Sequence, residues 1–429
     1  MTKQHYPRIG ESLYRETLSN GLEIMVVPRS NFAKNYAVFA TRYGGMDMRF
    51  SVDGEWKNTP AGIAHYLEHK MFDTEEGNAL QRLAQNGAEP NAFTGNGITA
   101  YYFDSTDHFL ENLEILLSFV SVPYFTEESV EKERGIIAQE IRMIEDNPDW
   151  QVYMELMQGL YENAPVRVPV AGTVESIGEI TAQTLYDCHR AFYAPGNMVL
   201  CVVGDVEPEE IVSLAEKILP KGKAPEIQRD YGEEEGLIAH CKLKEKEMDV
   251  SMPNFLVGYK CKPSPDKKPA LRDTLIGDIA CDVLLSESTP LYERLYNEGL
   301  INSSFGGGFE AFPGSAFFYA GGESNDPAAV QRAITQEAKR LAEEGVDEVF
   351  FQQIRKAEFG ATLRSLNSFE NVAVTLAENY FHGVDAFSFP EVFDTITKED
   401  IEAFFRENIV EEHSALSVIR PRGDKEEEA

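Results

Sequence analysis

The chain has 429 residues, 43% of them apolar and 11% aromatic, a composition that excludes a disordered protein and predicts two or three globular domains. Its net charge of −33, from 72 acidic against 39 basic residues, argues against a nucleic-acid partner, whose phosphates would be repelled. No apolar run reaches the ~18 residues that span a bilayer. The first ten residues lack a secretory apolar stretch, and the five cysteines form no Cys-x-x-Cys pair, so a cytoplasmic protein without a membrane segment is expected.

In chain order the first chemical signal is His65-Tyr66-Leu67-Glu68-His69, which runs into an apolar, helix-compatible stretch. Residues four apart on a helix share a face, so His65 and His69 can hold one ion between their imidazoles. Glu68 lies beside that face, where its carboxylate can reach a water on the same ion. The pattern is H-x-x-E-H, the inverse of the zinc-peptidase helix H-E-x-x-H. Zinc held by two histidines needs at least one more protein ligand, and a catalytic site leaves a position open for water. No third histidine lies at a short spacing, which leaves a carboxylate.

Asn91-Ala92-Phe93-Thr94 follows, ahead of a strand over 99–103, and then an amphipathic helix over 109–120 with Leu113, Leu116 and Leu117 on one stripe. Residues 126–147 read as one long helix, opened by Thr126 and stopped by Pro148. It carries Glu127, Glu128, Glu131, Glu133, Glu140 and Glu145. Glu133 and Glu140 share a face two turns apart, but position alone does not choose a ligand among the six.

One pattern then occurs twice. Ile180-Thr-Ala-Gln-Thr-Leu185 precedes the apolar strand Met198-Val-Leu-Cys-Val-Val203, and some 216 residues later Ile396-Thr-Lys-Glu-Asp-Ile401 precedes Ser414-Ala-Leu-Ser-Val-Ile419 at the same separation. Helices over 271–285 and 291–298 and a strand over 316–320 also correspond loosely to elements of the first half. The expected fold is α+β, with two homologous halves at 1–225 and 241–429, each a mainly antiparallel sheet packed with helices. A charge- and glycine-rich linker at 226–240 joins them. The repeat puts Gly277-Asp-Ile-Ala-Cys281 opposite the metal motif, and this segment cannot bind zinc as a unit. The first half is therefore expected to be catalytic and the second inactive. The acidic tail at 424–429 reads as a solvated end.

Taken together, these motifs resemble the pitrilysin/insulinase family of inverted-zincin metallopeptidases, which includes the mitochondrial processing peptidase subunits. Glu131-Lys132-Glu133-Arg134-Gly135-Ile136-Ile137-Ala138-Gln139-Glu140 matches the family's helix Glu-Lys-Glu-x-x-Ile-Ile-x-x-Glu. The opening Leu18-Ser-Asn-Gly-Leu22 strand, Pro60-Ala-Gly-Ile-Ala-His65 and Phe192-Tyr-Ala-Pro-Gly-Asn197 extend the likeness in the right order. A bacterial YmfH-type branch shares the His65–Phe72 reading His-x-Leu-Glu-His-Lys-Met-Phe and Asn147-Pro-Asp-Trp150.

The resemblance implies one zinc ion held by His65, His69 and Glu140, with Glu68 as general base and Glu133 as a supporting acid. It implies that Asn91, Ala92, Phe93 and Thr94 form a strand edge holding an extended peptide substrate, and that the halves face each other like a clam shell. The implied activity is endopeptidase cleavage of short or unfolded peptides. One departure matters. Complete members place an arginine and a tyrosine seven residues apart in the second half, where they stabilise the negative oxygen of the tetrahedral intermediate. Aligned on Gly299-Leu300, those positions here are Leu295 and Asn302. Loss of such a stabiliser costs about a hundredfold or more in rate. The chain is therefore expected to be the zinc-bearing subunit of a heterodimer whose partner supplies the pair, a homodimer being the other assembly. The alternative is a non-proteolytic assembly or partner subunit that keeps the fold, with a possible context in elongation factor P modification taken from the branch.

Overall fold

The computed structural model describes residues 1–264 and 270–422, so the acidic tail at 424–429 lies outside the described residues. The first sheet has seven strands: β1 (Thr2–Tyr6), β2 (Glu11–Thr17), β3 (Glu23–Pro28), β4 (Asn35–Thr41), β5 (Ala88–Thr94), β6 (Thr99–Ser105) and β7 (Met198–Gly204). Their order is β1-β2-β3-β7-β4-β6-β5. β7 lies parallel to β3 and antiparallel to β4. Its sequence, Met-Val-Leu-Cys-Val-Val-Gly, is buried at every residue, as a central strand covered on both faces must be. Leu18-Ser-Asn-Gly-Leu22, expected as a strand, is instead the turn between β2 and β3. The Leu18 amide donates to the Leu22 carbonyl at 2.8 Å and Gly21 takes φ 92°. Asn-Gly is turn chemistry, and at that φ any residue with a Cβ would be strained.

The second sheet has five strands: β8 (Leu243–Met248), β9 (Asn254–Cys261), β10 (Gly306–Phe312), β11 (Ser315–Glu323) and β12 (Ser414–Pro421). They run in the order β8-β12-β9-β11-β10. β12 is parallel to β8 and antiparallel to β9. Strand for strand this repeats β3-β7-β4-β6-β5 of the first sheet, in order and in direction. The repeated Ile-Thr signal also has one structure in both places. Thr181 and Thr397 each close a capping box at the start of a helix, Ala182–Phe192 and Lys398–Asn408, that leads back to the sheet.

The compact units are nevertheless interleaved along the chain. One comprises Met1–Ile141, Val168–Tyr231 and Thr362–Pro390; the other comprises Arg142–Arg167, Gly232–Ala361 and Glu391–Ala429. The expected contiguous division at 1–225 and 241–429 therefore does not describe the packing. Four helices matter below: α1 (Ile63–Met71), α2 (Glu127–Glu145), α3 (Pro148–Leu160) and α4 (Phe369–His382). α3 packs on β8, β9 and β12 of the second sheet. α4 packs on β4 and β7 of the first, where Val372, Ala373, Leu376 and Ala377 form one cluster with Val38, Ala40, Val199 and Cys201. Each sheet is apolar on both faces, and each has one face covered by a helix from the other repeat. Asn147-Pro-Asp-Trp is the start signal of α3: the Asn147 side chain accepts from the amides of Asp149 and Trp150, and Pro148 opens the first turn.

The stretch expected as a linker is tied down at both ends. In the first unit, Arg229 pairs with the fully buried Asp47 at 3.0 Å, and the Tyr231 hydroxyl donates to the same carboxylate at 2.9 Å. In the second, the Glu235 carboxylate accepts from the amides of Glu162, Asn163 and Ala164 at 3.0, 2.7 and 2.7 Å, and from Lys260 at 2.9 Å. Burial alone would push the Glu235 pKa up, but these four donors outweigh it and bring it down to about 2.

Candidate metal centre

The centre lies wholly within the first unit. α1 begins at Gly62, whose φ of 91° admits no ordinary side chain, and a Cβ there would stand 2.4 Å from the Ala171 carbonyl oxygen. Ile63, Ala64, Tyr66, Leu67 and Met71 sink into the main core. His65 and His69, on the remaining face, stay only partly covered, with their rings 4.6 Å apart. α2 anchors itself through Val130, Ile137 and Ile141, leaving Glu133 and Glu140 on its flank. The buried Tyr66 hydroxyl donates to the Val130 carbonyl and so ties the two helices together.

His65, His69 and Glu140 offer ligand atoms that all lie within 4.8 Å of one another. His65 Nε2 is 3.6 Å from Glu140 Oε1, and His69 Nε2 is 3.5 Å from Glu140 Oε2. Donors about 2.0–2.2 Å from one tetrahedral zinc stand roughly 3.3–3.6 Å apart, so this donor set fits zinc in both kind and spacing. Glu133 Oε1 accepts from His69 Nδ1 at 3.0 Å, which fixes that ring's tautomer and leaves Nε2 with its lone pair. His65 Nδ1 is buried with no such partner. Burial by itself would lower the His69 pKa, but the Glu133 hydrogen bond and the charges of Glu68 and Glu140 outweigh it and raise it. The close imidazole of His65, 3.6 Å away, and then that of His69 hold the Glu140 carboxyl below its usual range. Three carboxylates around two imidazoles favour positive charge at this point, whether it comes as a proton or as a metal ion.

Glu68 is 7% exposed, and its Oε2 accepts from Thr94 Oγ1 at 2.5 Å. The other expected residues lie on β5, the outermost strand of the first sheet. Side-chain alternation divides them: Ala92 packs against the core beneath α1, whereas Phe93 packs against the core on the opposite face. Sequence reasoning placed the four together at a strand edge, where they lie, and left unstated that strand parity sends alternate side chains to different faces. It also missed Lys70, fully buried one residue after a proposed ligand and paired with Asp73 at 2.5 Å. A lysine inside the apolar run of a helix was the available signal, since such a charge is seldom buried without a partner.

In the second unit Leu295 is 1% exposed. The Asn302 amide donates to Glu323 Oε2 at 2.8 Å, while its carbonyl caps Ser304. Asp278 and Asp282, four apart on the helix Leu271–Leu285, lie in the electrostatic reach of Glu358 on the helix Glu348–Ser365. Among the described residues these three do not converge as His65, His69 and Glu140 do.

A duplicated α+β fold carrying an inverted His-His-Glu centre in one of its two like halves defines the class. Within it, the chain belongs to the insulinase family, peptidase family M16: residues 54–174 match the family described as Insulinase (Peptidase family M16), and residues 179–358 match the Peptidase M16 inactive domain. It is 39% identical to the Bacillus subtilis (strain 168) protein named zinc protease YmfH, over 97% of this chain and 98% of that one. An M16-like protein of Alicyclobacillus acidocaldarius has a crystal structure that superposes with a TM-score of 0.91 at 33% identity, covering 96% and 99% of the two chains. A protease from Helicobacter pylori, 21% identical, shares the fold at a TM-score of 0.79 over 95% and 99%. Among the described residues no helix is long and apolar enough to cross a membrane.

Proposed function

We propose that this chain is a zinc endopeptidase acting on short or unfolded peptides, and that it works as the metal-bearing subunit of a heterodimer. The observation that carries the reading is the convergence of His65, His69 and Glu140 beside the buried Glu68 carboxylate. When bound there, zinc would polarise the scissile carbonyl and make an attacking water more acidic. Glu68 would take the proton from that water and return it to the leaving amine. Glu133 would keep His69 in the tautomer that presents Nε2. β5, at the sheet edge, offers backbone groups to which an extended peptide can add as a further strand, held without its sequence being read.

The heterodimer rests on the second unit. Leu295 is a core residue and Asn302 is committed to Glu323 and Ser304, so neither position offers a cation or phenol for the negative oxygen of the intermediate. A homologous partner carrying the arginine and tyrosine would complete the site. Five cysteines without disulfides fit a cytoplasmic location.

The test measures zinc content and cleavage of a quenched peptide library by the chain alone and mixed with homologous candidates. One zinc per chain is expected, with cleavage only in the mixture, and Glu68→Gln should retain the metal while abolishing turnover. Cleavage by the chain alone as fast as by any mixture removes the heterodimer. Retained turnover in Glu68→Gln removes Glu68 as the base.

A further inference from the structure

Thr94 closes β5, and its hydroxyl stands 2.5 Å from Glu68 Oε2. A hydroxyl has one proton, and an ionised carboxylate has none to give, so in this pair Thr94 donates. Its other hydroxyl neighbour, Thr99 Oγ1, is 3.5 Å away and is better placed to donate to the Tyr43 carbonyl at 2.8 Å. Thr99 therefore does not compete for Glu68, and Thr94 is free to serve it. The wall behind is buried: Tyr101 and Tyr193 join hydroxyls at 2.8 Å inside the core, and Thr99 itself is fully buried. Among the described residues Thr94 is the one side chain hydrogen-bonded to the Glu68 carboxylate, which leaves Oε1 without a partner.

We propose that Thr94 is a positioning residue for the reaction: by holding Oε2 of Glu68 it fixes the carboxylate plane and leaves Oε1 as the oxygen that meets the attacking water. The assignment rests on the reading of Glu68 as the base. It gives Thr94 a task beyond the peptide contact expected of it, because the residue that ends the substrate edge also aims the base. A short charge-assisted O–H···O⁻ bond in a buried site has the strength for this. Misplacing a reacting group by about 1 Å can cost on the order of a hundredfold in rate.

The experiment compares Thr94→Val, which keeps the shape and removes the hydroxyl, with Thr94→Ser, which restores it, in the preparation that cleaves peptides. Thr94→Val should lower kcat by about ten- to a hundredfold, leave KM within about twofold, and keep one zinc per chain. Thr94→Ser should recover to within about threefold of the parent. A wild-type kcat in Thr94→Val, a rise in KM alone, or a Thr94→Ser as impaired as Thr94→Val overturns the proposal. If Thr94→Val does not fold, Thr94→Ala takes its place in the same comparison. A crystal structure of the zinc-loaded Val or Ala variant needs no turnover and should show the Glu68 carboxylate rotated or in more than one rotamer; a single unchanged position also overturns the proposal. Turnover surviving in Glu68→Gln would bring down the base itself, whereas an inactive Glu68→Gln beside a fully active Thr94→Val would bring down only the role of Thr94.

Discussion

The two halves share one strand order and one set of strand directions, yet they use the same helices differently. In the first half the helix after β4 carries His65 and His69, and the helix Glu127–Glu145 brings Glu140 to them. In the second half the helix after β9 carries Asp278 and Asp282 at the same four-residue spacing, and the helix Glu348–Ser365 carries Glu358 near them. Burial first, then the charges of Glu358 and Asp282, push the Asp278 carboxyl up to about 7. Burial and like charge raise these carboxyls, the reverse of the first half, where Glu140 is held down by its imidazoles. The fold repeats its strands and helices, but among the described residues only His65, His69 and Glu140 converge closely enough to share an ion.

The sharpest way to break this comparison is to remove a ligand from one half and its counterpart from the other. His69→Ala should abolish both stoichiometric zinc and peptide cleavage, while Asp278→Asn should leave zinc content at the parent level. Equal metal loss in the two variants, measured by atomic emission after dialysis, would make the halves functionally alike.

A smaller effect separates the halves by stability. Glu235→Gln leaves the buried Lys260 ammonium without its counter-charge and should cost about 3–4 kcal/mol in urea unfolding. Because the folded pKa of Glu235 is depressed to about 2, its contribution is present above the unfolded value near 4.5 and fades as the pH falls toward 2. Variant and parent should therefore converge in stability at the acid end of a urea series, and a constant gap at every pH would contradict the assignment.

In the first half the corresponding handle is His189, buried with Nε2 at 3.0 Å from the Val120 carbonyl. Burial lowers its pKa to about 4. The unfolded chain binds this proton from about pH 6.5 downward and the folded chain does not, so folding weakens as the pH drops from about 6.5 to about 4. At ~1.4 kcal/mol per unit the loss reaches about 3 kcal/mol, and a His189→Gln variant should flatten that part of the profile in calorimetric scans.

The smallest effect is expected at Glu133. Removing its charge in Glu133→Gln should weaken zinc binding by about tenfold in chelator competition, with the ring of His69 still in place. An unchanged affinity would mean that Glu133 does not set the tautomer of His69.

Much of the site was legible because its signals are local. His65, Glu68 and His69 fall within one helical turn, and residues 126–147 announced their helix by a capping threonine and a terminating proline; Glu140 was chosen by resemblance, since the sequence offers six glutamates there. The duplication was legible in Thr181 and Thr397, each opening a helix before an apolar strand. What stayed hidden depends on contacts between distant residues. Nothing in Pro148–Leu160 or Phe369–His382 states which sheet each helix will cover, since an apolar stripe fits either one. The strand that the resemblance implies over Leu18–Leu22 is a turn because Asn-Gly is turn chemistry, and likeness to a family motif does not by itself state the backbone conformation of each residue. The Thr94–Glu68 bond needed strand parity and the height of α1 together, and neither is written in the motif.

The interleaving of the two units bears on how the protein is made. A ribosome finishes the first sheet at Gly204, but Phe369–His382, which shields one of its faces, is still untranslated. At ~5–20 residues per second the nascent chain carries a bare apolar surface for on the order of ten seconds or longer. Biogenesis thus has a built-in delay during which chaperones would find their most exposed target, and a gene truncated between the repeats would yield product stranded in that vulnerable state.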